Sequence, residues 1–108
     1  MTIDEQVEHF NAFIAKMADT MLSKGNDYAN EDRLSNFKLA GNITGIGAKA
    51  NCLSLIATKV ARLGVLLGSS DKPNHEGIQD SILDLACYSV LLSQIIEDED
   101  QVDTEGAG

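Results

Sequence analysis

Apolar residues recur at Ile3, Val7, Phe10, Ile14, Met17 and Met21. Those alternating steps of four and three predict a helix that packs lengthwise on another. Thr2 stands before "IDE" as an N-cap, with Glu5 at the position where a capping box closes. Gly25, directly after Lys24, reads as the stop. The pattern then weakens. "NEDRLSNFKLA" predicts a short helix touching its neighbours through Leu34, Phe37 and Leu39, and the three glycines of "GNITGIGAK" predict a loop or lid.

A second long helix is expected from Ala48 to Leu67. Its main apolar face is Leu53, Ile56, Ala57, Val60, Leu63 and Leu67, with Leu55, Thr58, Lys59, Arg62 and Leu66 on the opposite side. "GSSDKPNHEG" is the connector, with Asn74 as N-cap of a third long helix from His75 to Ile96. Ile78, Ile82, Leu85, Leu92 and Ile96 form one side of that helix. Leu83, Cys87, Val90 and Leu91 make its second half apolar nearly all round, as expected of a helix central to a bundle or lying in a subunit interface. No stretch alternates with a period of two. The predicted fold is all-α: an antiparallel helical bundle of three long helices plus a short helix or loop, completed by oligomerisation because so few aromatics serve the core.

Length and charge refine this picture. A chain of 108 residues makes one domain. No run of apolar residues is long enough for a membrane span and no basic leader precedes an apolar stretch, which implies a cytoplasmic protein without a membrane partner. The net charge of −9 is concentrated at the end: from Glu97 on there are six acids and no base, while residues 1–96 hold eight bases and eleven acids. Residues 1–96 therefore read as the helical domain and 97–108 as an acidic tail that ends the helix and frays. Without a basic patch no nucleic-acid partner is expected, and acids gathered in one tail do not make the charged face of a DNA mimic. Cys52 and Cys87 sit among apolar neighbours as buried thiols, and His9 and His75 read as solvent-side residues.

Candidate chemistry lies in two places. Glu76, Asp80, Asp84 and Tyr88 follow at steps of four and share a helix face, where three carboxylates repel one another. Asp84 points nearly the same way as Cys87 and Leu91, so it needs a cation, for which Lys59 and Arg62 are candidates. The pattern allows interhelical ion pairs (Lys59 with Asp84, or Arg62 with Asp80) that set the register of the bundle. It equally allows a site in which Glu76, Asp80 and Asp84 hold a divalent metal through oxygen while Lys59 and Arg62 hold a phosphate. The second place is "KGNDYANEDRLSNFK". Its Lys24, Asp27, Tyr28, Arg33, Asn36, Phe37 and Lys38 supply cations for phosphate, rings for a base, and Asn or Asp for base and ribose edges. The same residues would serve a polar loop that caps helix ends.

"KGNDYA", "LIATKVARLGVLL" and "EGIQDSILDLACYSVLL" together resemble the phage nucleotide-modification-associated domain family over roughly residues 10–93. The matching positions are Lys24, Asp27 and Tyr28; Lys59 and Arg62; Asp80, Asp84 and Tyr88. That family is similar to the MazG-like all-α nucleoside triphosphate pyrophosphohydrolases, oligomers that hold Mg²⁺ on acids from two helices. The resemblance implies a nucleotide site and, for an enzyme, Mg²⁺. The sequence departs from the enzymes at a decisive point, because its second helix offers Lys59 and Arg62 where the other acidic set belongs. The E-x-x-E of Glu5 and Glu8 lies at the start of the first helix and reads as end-charge decoration. Three functions follow as expectations. One is a nucleotide-binding protein with no catalytic residue and no required cofactor, a sponge for a nucleotide immune signal in a host cytoplasm. The others are a Mg²⁺-dependent pyrophosphohydrolase and a structural or adaptor bundle.

Overall fold

The computed structural model describes the backbone of residues 1–28, 34–68 and 75–107, and the side chains of 1–23, 34–68 and 75–101. Within these the chain is all-α. Helix α1 spans Ile3–Tyr28, α2 Ser35–Thr44, α3 Gly47–Gly68 and α4 His75–Ala107.

The start of α1 is the capping box expected from sequence: the Thr2 N–H donates to Glu5 Oε2 at 3.2 Å, and the Glu5 N–H to Thr2 Oγ1 at 3.1 Å. The expected stop at Gly25 is corrected, since α1 continues to Tyr28. One glycine in a helix costs about 1 kcal/mol against alanine, too little to end a segment whose following residues accept helix.

The glycine-rich segment is corrected as well. Gly41 and Asn42 belong to α2, which ends at Gly45 in the left-handed conformation with φ 79°. Gly41 serves a close approach rather than a loop. A Cβ placed there would lie 2.4 Å from the carbonyl carbon of Gly47 and 2.6 Å from the amide nitrogen of Ala48. Only hydrogen fits where α2 crosses the start of α3.

Helices α3 and α4 run antiparallel, as their contacts show: Lys49 reaches Glu99, Cys52 the carbonyl of Tyr88, and Lys59 reaches Asp84. Leu34, Ala48, Cys52 and Ile95 form the buried centre, with Phe37, Ile56, Tyr88, Leu91 and Leu92 packed around it. Cys52 is wholly buried, and burial pushes its thiol pKa up, so it stays protonated as a small core residue.

The face of α3 that does this packing overlaps the expected one at Ile56 and Leu63, both half-buried, and departs from it elsewhere. Ala48, Cys52, Ile56 and Lys59 turn inward, whereas Leu53, Val60 and Leu67 are exposed. A helix apolar on most of its circumference does not announce which stripe faces its neighbour. Here small residues that let α2 and α4 approach, and the attraction of Asp84 for Lys59, decide it.

The acidic run is not a break in structure. Helix α4 continues past Ile96 to Ala107, and Lys38 and Lys49 hold Asp98 and Glu99 at 2.9 and 3.1 Å. Cations on α2 and α3 thus offset like-charge repulsion along the last described turns of α4. The expectation that no stretch is apolar enough for a membrane span is corrected for α3: by length and composition it could cross one, its most apolar 18-residue window having mean hydropathy 1.4.

Candidate functional site

The expected site residues fall into three groups. Lys24, Asp27 and Tyr28 occupy the last turn of α1, and their side chains, with all of Arg33, lie outside the described residues. Asn36 and Phe37 open α2. Asn36 is exposed, while Phe37 is half-buried against the core. Lys59, Arg62, Glu76, Asp80, Asp84 and Tyr88 lie on α3 and α4.

The last group is brought together in part. Lys59 Nζ sits 3.1 Å from Asp84 Oδ2, with side chains 20% and 30% exposed. Both are therefore partly desolvated, which strengthens their attraction relative to a surface pair while leaving a path to water. One turn along α3, Arg62 is exposed, and no ion pair joins it to Asp80 or any other described residue. Tyr88, one turn beyond Asp84, is half-buried against the core, and its carbonyl accepts from Cys52 Sγ at 3.4 Å. Phe37 and Tyr88 thus spend part of their ring surface on the core rather than offering both faces to a ligand.

Glu76 and Asp80 are exposed on the first turns of α4. Among the described residues no three potential metal ligands converge. The geometry that exists is an ammonium and a carboxylate already paired, with a guanidinium beside them open to solvent. Chemically this can exchange partners: an incoming phosphate can take Arg62 in a forked contact and draw Lys59 from Asp84.

Two contacts escaped the sequence reading, the Lys38–Asp98 and Lys49–Glu99 pairs. Both join residues far apart in the chain, and neither periodicity nor local spacing could have indicated them. The chain matches no protein-family model, no curated protein and no solved structure significantly.

Proposed function

We propose that this chain binds a nucleotide or nucleotide-derived signal through its phosphates and sequesters it without hydrolysis, acting in a cytoplasm (that of the host if the chain is viral). One observation carries the reading: Asp84 is engaged by Lys59 at 3.1 Å while Arg62 beside them is exposed. A carboxylate neutralised by an ammonium is a poor ligand for a divalent cation. An exposed guanidinium next to a second, exchangeable cation is a good receiver for phosphate. The short motifs that resemble the phage nucleotide-modification-associated domain support the same reading, with Lys24, Asp27, Tyr28 and Asn36 as candidates for the base and ribose. Binding on these terms requires no metal.

The structural-bundle reading has an observation of its own. Lys59–Asp84, Lys38–Asp98 and Lys49–Glu99 each join two helices, as a ladder that fixes register would.

A thermal-shift screen against linear and cyclic nucleotides, with and without Mg²⁺, separates these readings when each hit is recovered by chromatography. A ligand at a hundred times its Kd stabilises the native state by about 2.7 kcal/mol. A hit recovered intact, and lost in Arg62→Ala, is the expected result. Conversion only with Mg²⁺ would establish the pyrophosphohydrolase instead, and no shift with any nucleotide would leave the ladder as the reason for these residues.

A further inference from the structure

Two apolar stripes of this chain are uncovered. On α1, Ile3, Val7, Phe10 and Ile14 are all exposed, Ile3 to 79%, and every described side chain from residue 1 to 12 is exposed. An isolated helix that short is marginal in water even with good propensity, so the first half of α1 needs something to lie against. On α3, Ala50, Leu53, Ala57, Val60, Gly64 and Leu67 recur at alternating steps of three and four, and all are exposed, Leu67 to 68%. Large residues at one heptad position and small ones at the other make a seam that a second helix can approach closely.

The amount of uncovered surface says what kind of partner fits. The chain exposes 7866 Å² at 11.6 kDa, whereas a compact monomer of that mass exposes about 5,800 Å². Its radius of gyration is 16.7 Å, against about 13 Å for a compact domain of this length. The excess over the whole chain, about 2,000 Å², of which the two stripes are one part, is of the order that obligate homodimers bury on each partner, about 1,000–2,500 Å². The flanks of the stripes are mostly neutral (Gln6, Asn11, Ser54, Ala61), so self-pairing meets little like-charge repulsion. A lipid surface fits less well: Asp4, Glu5 and Glu8 crowd the tip of α1 and the net charge is −9, which opposes anionic headgroups.

We propose that a second copy of this chain covers the α1 and α3 stripes, so that the stable folded unit is a homo-oligomer whose core is shared. This stands independently of the nucleotide reading. Sedimentation equilibrium of the full chain tests it, together with melting followed across about two decades of protein concentration. The expected result is a mass at a multiple of 11.6 kDa and a Tm that rises with concentration. Val7→Glu and Val60→Glu, each at a side chain exposed in the single chain, are expected to weaken association at least about tenfold, a loss of roughly 1.4 kcal/mol. Val65→Glu, exposed on α3 but outside the seam, should leave it unchanged. A monomer whose Tm ignores concentration would overturn the proposal, as would an oligomer indifferent to both seam variants. So would a monomer that floats with neutral phosphatidylcholine vesicles, which would name the membrane as the occupant. Should the seam variants fail to fold, the concentration dependence of the unmodified chain decides by itself.

Discussion

The first half of α1 and the crossing of α2, α3 and α4 stand at opposite ends of what burial does in this protein. The first half of α1 has the most regular apolar spacing in the chain and a closed capping box, yet its side chains at Ile3, Val7, Phe10 and Ile14 meet solvent. The helix crossing has an irregular pattern, two glycines at positive φ and a buried thiol, and it is the best-packed region described. Regular periodicity shows that a helix has a face to bury. It does not show that the burial happens within one chain.

The comparison is broken most sharply by truncating one residue from each region. Ile95 is 1% exposed in the centre of the core, and Ile95→Ala should cost about 3–4 kcal/mol in denaturant unfolding, at every protein concentration. Ile14 is 42% exposed in the single chain, so Ile14→Ala should cost under about 1 kcal/mol where the chain is monomeric. Its cost should grow with concentration if a second copy covers α1. Equal, concentration-independent penalties at the two sites would erase the distinction between the regions.

Next comes Gly41, where the crossing is tightest. The added methyl of Gly41→Ala would meet backbone atoms of Gly47 and Ala48 at 2.4 and 2.6 Å. Backbone cannot turn aside as a side chain can, so the loss should lie near the top of the overpacking range, about 3 kcal/mol. Gly64→Ala is the control: a Cβ there meets nothing within 4 Å. In a monomer it should be neutral or stabilising by up to about 1 kcal/mol. A Gly41→Ala variant as stable as the parent in thermal melts would mean the two helices slide apart freely.

How much of this was legible follows from the same contrast. The all-α class, the capping box and the centrality of the third long helix are local or periodic properties, and Thr2, Glu5 and the recurring apolar positions between Ile78 and Leu92 express them directly. The packing face of α3 was legible only in part: Ile56 and Leu63 lie on the expected face and are half-buried, whereas Leu53, Val60 and Leu67 of that same face are exposed and the smaller Ala48 and Cys52 are buried in their stead. The arbiters are Gly41 and Asp84, both on other helices. The Lys59–Asp84 pair was foreseeable, since an acid expected to be buried demanded a cation and two were on offer. Its alternative, Arg62 with Asp80, was equally open on paper. The reach of α4 into the acidic run was hidden, because Lys38 and Lys49, which steady Asp98 and Glu99, lie roughly half the chain away.

A modest expected effect in stability is the most informative for function. In a double-mutant cycle on Lys59 and Asp84 the coupling should be about 1 kcal/mol, falling as salt rises, because both side chains keep some contact with water. The single change Asp84→Asn then separates the readings by its sign. If Asp84 serves to hold Lys59 until a phosphate displaces it, Asp84→Asn frees the ammonium, and nucleotide affinity should rise by a few-fold while stability falls slightly. A metal-ligand role demands the reverse, with Mg²⁺-dependent turnover lost. A purely structural role moves only the melting temperature. Isothermal titration of the variant beside the parent, with the best ligand from the screen or with inorganic pyrophosphate, reads that sign, and weaker binding in Asp84→Asn would remove the exchange mechanism.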